Sequence, residues 1–274
     1  MEHVLDAMPV WLALMLFAAI PAFVAVLLHD RFRRIVPSDR LIPHHDVAGF
    51  LVSIVGLLFA VVLAFLVAAA WAAFDAAQRN ADSEASDLAE TFATTTVLSE
   101  PTRTTTRRLL ADYAFLVRDQ EWPMLIDGRQ DPRAREIIVR AFTTVASSQA
   151  PKSATVAQAL EHSSAQQLVT TNLEALSADR RRRLLDASVH IPGALYLALV
   201  MGWILLLAFV FLFGCSRVLQ LTMTALVTAM IGLLFGLIVE FDRPYGNGIR
   251  VSPEAWTLVI DNHHLERFRT PGTP

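Results

Sequence analysis

Apolar residues gather into four runs long enough to cross a membrane, roughly Val10 to Leu28, Val47 to Phe74, Ile191 to Phe213 and Leu219 to Val239. A helix needs about 20 predominantly apolar residues to traverse the hydrocarbon core, so each run predicts a membrane span. Met1 to Pro9 contains no Lys or Arg, so the first run lacks the basic flank of a secretory signal and is expected to stay as a span. Trp11 and Trp71 fall near span ends, where aromatic belts lie, whereas Trp203 lies deep enough to be a packing residue.

Between the second and third runs the period stays helical. Phe74, Ala77, Ala81, Ala85, Leu88 and Phe92 recur at three- and four-residue spacing through a polar stretch, which predicts that span 2 leaves the bilayer as one continuous amphipathic helix. Ser99 and Pro101 mark a stop and a restart, followed by a second stripe of Leu109, Leu110, Tyr113, Leu116 and Val117. Asp131 before Pro132 reads as an N-cap with proline at the first helical position, opening a helix through Ile137, Ile138, Phe142 and Val145. A fourth helix from about Ala154 is expected to turn Val156, Leu160 and Leu168 inward and to continue through Leu173, Leu176 and Leu184. No strand-like alternation or internal repeat appears. After span 4 the chain turns through Asp242 to Gly248, and Ile249 to Val251 reads as a short extended piece. Ser252 and Pro253 precede a last short helix with Trp256, Val259 and Ile260, and Arg267 to Pro274 read as a frayed end.

The expected fold is therefore all-α: four transmembrane helices in two hairpins, with a helical extramembrane domain between spans 2 and 3. The divisions are 1–46 for span 1 and its loop, 47–74 for span 2 and 75–190 for the helical domain. Spans 3 and 4 occupy 191–240, and the tail with its short helix occupies 241–274. A mean hydropathy of +0.45 with 18% charged residues agrees with a membrane protein carrying a polar module. The formal charge of −3 excludes a basic nucleic-acid footprint. Cys215 is the single cysteine, which excludes an intrachain disulfide and a cysteine-based zinc site.

Basic residues divide between the two sides. Arg31, Arg33, Arg34 and Arg40 favour a cytoplasmic loop between spans 1 and 2, whereas Arg180 to Arg183, with Arg79, Arg243 and Arg250, favour a cytoplasmic central domain.

Two faces of span 2 attract attention. Gly49, Ser53, Gly56, Ala60 and Ala64 fall on one side of the helix, and Ile54, Leu58, Val61 and Phe65 form an apolar ridge. Span 4 carries Thr224, Thr228, Gly232 and Gly236 at intervals of four. Small-residue faces let helix backbones approach closely in lipid, either within one subunit, the favoured reading, or around a shared pore. Asp, Glu, Lys and Arg are absent from all four span interiors. That counts against an ion-coupled carrier, which places an ionisable group near the midplane, more than against a channel. His44-His45-Asp46 and His263-His264 with Glu266 suggest metal ligands, but adjacent helical residues point about 100° apart, a poor spacing for one ion. Asp46 is instead expected to cap span 2, and neither a metal nor a cofactor is expected. No nucleophile elbow, phosphate-binding glycine loop or HExxH pair occurs, so no catalytic residue is assigned. Glu121-Trp122-Pro123 reads as tryptophan packing before a proline stop.

His44-His45-Asp46-Val47-Ala48-Gly49-Phe50, Glu121-Trp122-Pro123, and Asp242-Arg243-Pro244-Tyr245-Gly246 with Ile249-Arg250-Val251-Ser252-Pro253-Glu254 together resemble the bacterial bestrophin-like family of integral membrane proteins, distant relatives of the bestrophin channels. The likeness runs from about His44 to Ile260. It implies a multi-pass protein of the bacterial inner membrane with a cytoplasmic central domain, forming a homo-oligomer, a pentamer in bestrophins. It further implies passive conduction of inorganic ions, anions before cations, through a pore lined by span 2. The alternative is a non-conducting scaffold or sensor whose helical domain binds a protein partner. Bestrophins carry a Glu-Asn-Pro-Phe-Gly segment after span 4, which Glu240, Pro244, Tyr245 and Gly246 loosely match. Asn247 to Arg250 stand where animal bestrophins have a calcium-clasping acidic run, so calcium gating is not implied. Ile54, Leu58, Val61 and Phe65 are the candidate neck.

Overall fold

The computed structural model describes residues 9–36, 45–150, 153–212, 216–246 and 248–270, with side chains from residue 49 onward in the second stretch. Among these residues every regular element is helical. The four long apolar helices are α1 (Val10–Ile35), α2 (His45–Thr94), α6 (Gly193–Phe211) and α7 (Arg217–Phe241). Between them lie α3 (Thr102–Leu116), α4 (Pro132–Ala146) and α5 (Val156–Asp186), and α8 (Glu254–Asn262) follows α7. Residues 1–74 and 190–249 form one compact unit, and residues 75–189 and 250–274 another.

In the membrane unit α1 lies along α7. Ala13, Ala22 and Ala25 of α1 and Thr224 and Thr228 of α7 are buried, together with Gly232 and Gly236. A Cβ at Gly232 would lie 2.2 Å from the Phe17 carbonyl oxygen, so the small ladder of span 4 is used for backbone-to-backbone approach within this chain. Pro21 sits inside α1 without ending it. A second cluster joins Phe59, Leu63, Leu66 and Ala70 of α2 to Leu199 and Leu206 of α6 and Ile231 and Ile238 of α7. Trp203 packs against Phe235 at 6.5 Å, the role its depth predicts.

The helical unit follows the predicted stripes closely. Ala77, Ala81, Ala85, Leu88 and Phe92 of α2 and Leu109, Leu110, Tyr113 and Leu116 of α3 are buried. Asp131 caps α4 by accepting the Arg133 N–H at 2.9 Å, and Thr155 with Gln158 makes a capping box on α5. Two expectations are corrected. Val156 and Leu160 are 80% and 62% exposed, and Leu168 is exposed as well. The inward positions of α5 are Val169, Leu173 and Leu176, because only its later turns meet other helices. The tail is ordered through Thr270: Phe268 meets the edge of Phe92 at 5.3 Å, and Thr270 donates its N–H and hydroxyl to Asp112 at 3.0 and 2.6 Å. Residues 249–251 lie outside the helices, and Val251 is buried.

Candidate functional site

Three places stand out: the open faces of α2, a clasp at the end of α7, and a buried ionic network in the helical unit.

α2 is long because nothing interrupts its helical pattern: it holds 50 residues with no internal proline. Its membrane half buries one stripe, Phe59, Leu63, Leu66 and Ala70. Phe59 packs so closely on α6 that a Cβ at Gly202 would come within 2.7 Å of its ring. At 3.6 residues per turn the ridge of Ile54, Leu58, Val61 and Phe65 is turned about 140° from that stripe. Ridge exposure runs from 42% at Ile54 to 73% at Phe65, so nothing in the single chain covers it. The small-residue face is turned about 90° from the stripe. Ser53 and Ala60 are exposed, and Gly49 and Gly56 half-buried. Ser53 spends its hydroxyl on the Gly49 carbonyl at 2.9 Å. This face forms part of an open apolar groove of about 650 Å³, lined by Gly56, Ala60 and Ala64 of α2, Leu206 of α6 and Val227 and Met230 of α7. The small faces of α2 and α7 thus differ: that of α7 is filled by α1, and that of α2 is open.

The clasp is built from carboxylates just past the apolar run of α7. Asp242 accepts the Ile191 N–H at 2.6 Å and the Tyr196 hydroxyl at 3.0 Å, fastening the start of α6 to the end of α7. Glu240 accepts the Ile249 N–H at 3.1 Å, and a Cβ at Gly248 would overlap its carboxylate. Replacing Asp242 by Ala leaves the Ile191 N–H and the Tyr196 hydroxyl without their acceptor, an expected loss of about 1–3 kcal/mol. The heat-denaturation midpoint of the purified protein in detergent should fall accordingly, and an unchanged midpoint removes this role.

In the helical unit the chain buries opposite charges together. Glu84 of α2, Glu121 and Arg183 of α5 are fully buried, and Arg180 and Tyr113 nearly so. Arg183 donates through Nη2 to Glu121 at 2.7 Å and to Glu84 at 3.2 Å, and through Nε to Glu84 again. Arg180 donates to Glu121 and, at 3.2 Å, to the Asp131 carbonyl, while Glu121 also accepts the Asp131 N–H at 3.0 Å. Tyr113 donates its hydroxyl to Glu84. Burial pushes the Tyr113 pKa well above the usual 10.0, and the Glu84 charge adds to the rise, so the phenol stays a donor. For Arg183 burial acts downward, but the charge of Glu84 and its hydrogen bond outweigh it and hold the guanidinium charged. A π turn, Val117–Glu121, puts Val117, Glu121 and Trp122 on the buried side, and Arg183 lies over the Trp122 ring at 5.5 Å.

From sequence, Glu121-Trp122-Pro123 reads as packing and a stop. The packing of Trp122 holds, and helical turns continue past Pro123 to Asp127, where Gly128 ends them in the left-handed region at φ +63°. The ionic partner of Glu121 escapes a sequence reading. Its signal is nevertheless present: Glu84 lies on the apolar stripe between Ala81 and Leu88, where an isolated carboxylate requires a buried partner. His29 escapes it as well. It is fully buried, hydrogen-bonded through Nδ1 to Thr224 at 2.7 Å and stacked on Phe211 at 4.2 Å.

His44 and the side chains of His45 and Asp46 lie outside the described residues, and with them the expected cap. His263 sits against Phe92 at 5.8 Å, and His264 takes a left-handed conformation after α8. Among the described residues no group of three or more His, Cys, Asp or Glu side chains is arranged to hold a metal ion. Ser252 accepts the Glu254 N–H at 3.2 Å, which with Pro253 opens α8.

A Bestrophin-like domain matches residues 16–256. The chain belongs to the bestrophin-like family. No curated protein matches it. Among solved structures, the bacterial bestrophin homologue from Klebsiella pneumoniae shares 16% identity with a TM-score of 0.59, covering 91% of this chain and 99% of that one. A tryptophan-to-alanine variant of the same homologue gives 16% identity and a TM-score of 0.62, covering 93% and 95%. At this identity the likeness establishes the fold. In this bestrophin-like membrane protein several residues singled out in the sequence serve the structure directly, with Glu121 and Trp122 in the ionic network, Asp242 in the clasp, and Ser252 and Pro253 at the start of α8.

Proposed function

We propose that this chain forms a homo-oligomer, a pentamer as the family resemblance implies, whose α2 helices surround a passive ion-conducting pore. The observation that carries the reading is the ridge of Ile54, Leu58, Val61 and Phe65, exposed on the side of α2 turned away from its buried stripe. An apolar constriction of this kind passes or stops ions by its wetting and needs no ionisable group. None of the four span interiors contains Asp, Glu, Lys or Arg, which suits passive conduction rather than ion-coupled transport or catalysis. Anions are favoured over cations on the family resemblance. The four spans cross the bacterial inner membrane as two hairpins, with the helical unit in the cytoplasm. In this arrangement the open groove beside Gly56, Ala60 and Ala64 receives a helix of the adjacent subunit.

Purified protein in planar bilayers should conduct, and Phe65→Ala, which removes the most exposed ring of the ridge, should change unitary conductance several-fold. A preparation that is silent and runs as a monomer in detergent overturns the proposal. A second reading is supported by the exposed Val156 and Leu160 on α5: a scaffold or sensor that docks a protein partner there. A silent oligomer whose partner crosslinks to α5 selects that reading.

A further inference from the structure

The last turn of α1 and the first of α7 carry a charged cluster outside the proposed pore. Asp30, 18% exposed at its side chain, accepts from Arg34 at 2.9 Å and from Arg217 Nε at 3.0 Å. The two guanidinium side chains are themselves 69% and 67% exposed. Arg31 is exposed on the same turn, and Arg33 is half-buried beside it. Among the described residues, Arg31, Arg34 and Arg217 against Asp30 leave a charge of 3 − 1 = +2. Each guanidinium has five N–H donors in a fixed fork, so the bonds to Asp30 orient Arg34 and Arg217 without using up their donors. The surface next to this charge is aliphatic: Leu27, Leu28, Ile35, Val218 and Leu219 are all exposed.

We propose that Arg31, Arg34 and Arg217 bind the phosphate of an anionic phospholipid in the leaflet that meets this end of α1 and α7. The occupant follows from the two surfaces together. Paired, exposed guanidiniums match a phosphodiester, and the exposed aliphatic turns match the acyl chains below it. A water-soluble anion would use only the charge. Asp30 is the positioning residue, holding two arginines of different helices on one carboxylate. Pore formation is not required for this site, so it stands or falls separately from conduction.

The test is lipid retention by the full-length protein, measured by native mass spectrometry after extraction from membranes doped equally with phosphatidylglycerol and phosphatidylcholine. Wild-type protein should retain phosphatidylglycerol preferentially. Arg34→Gln with Arg217→Gln should lose that preference at about five-fold per arginine removed. Should the double variant fail to fold, Arg31→Gln, an exposed position outside the Asp30 pairs, should still lower retention about five-fold. Arg181→Gln, an exposed arginine of the helical unit, should leave retention unchanged. Equal retention of the two lipids, or unchanged retention in well-folded Arg31→Gln or in the double variant, overturns the proposal. So does heat stabilisation by inorganic phosphate that matches that by phosphatidylglycerol, since it would mark a site for a soluble anion.

Discussion

Replacing Arg183 by Met should destabilise the helical unit by about 3–5 kcal/mol, the usual result of removing one partner from a buried charge pair. Arg183 is the hub of the network, donating to both Glu84 and Glu121. Methionine fills much of the volume but leaves two carboxylates in a dry interior with Arg180 as the remaining buried cation. Neutralising one carboxylate at the same time, as in Glu84→Gln with Arg183→Met, should recover part of the loss. The measure is protease resistance of the helical unit on heating, with the double variant falling between wild type and Arg183→Met. An Arg183→Met protein as resistant as wild type would show that Glu84 and Glu121 reach water. If the double variant is worse than the single one, the charges are not what binds the site.

A side chain at Gly232 should be nearly as damaging, for a different reason. A Cβ there meets backbone: the Phe17 carbonyl oxygen at 2.2 Å, its carbon at 3.1 Å and the Ala18 Cα at 3.4 Å. A neighbouring side chain could swing aside, but backbone can yield only if α1 and α7 separate. Gly232→Val should therefore cost about 1–3 kcal/mol or more, as overpacking does, and lower the midpoint of thermal unfolding in detergent. Gly56→Ala supplies the contrast. Its Cβ would meet nothing nearer than Leu206 Cδ1 at 3.6 Å, an ordinary contact, so the folded monomer should tolerate it. Equal effects at the two positions would contradict the assignment of α7, rather than α2, to close packing within the chain.

The stripes that built the helical unit were legible because helical period and burial coincide there. Ala77, Ala81, Ala85 and Leu88 are apolar at helical spacing, and all are buried. The same rule failed at Val156 and Leu160, which have the right spacing but no helix opposite them. Periodicity reports that a face is apolar, and only the neighbouring helices decide what covers it. The same limit applies to the small-residue faces of spans 2 and 4. Their sequences are alike, yet α1 occupies one and leaves the other open.

Charge was harder to read. Arg180 to Arg183 look in sequence like one basic block bearing on topology. Folding separates them: Arg180 and Arg183 turn inward to Glu84 and Glu121, Arg182 pairs with Asp179, and Arg181 bonds to Ser177 on the surface. The helix makes that division, since residues three apart share a face and adjacent residues do not. The partners, 59 and 99 positions away in the chain, come from other elements.

By itself the sequence determined the number of helices long and apolar enough to cross a membrane, the continuity of α2 out of the apolar region, the helical character of the described residues and the family. All of these depend on the order of apolar and polar residues along a local element. Tertiary structure decided which small face is filled, which arginines are buried, that Asp242 joins α6 to α7, and that Asp30 gathers Arg34 and Arg217. Each of these depends on partners distant in the chain, and burial gives them their strength, because a buried charge or donor must find a partner while an exposed one has water.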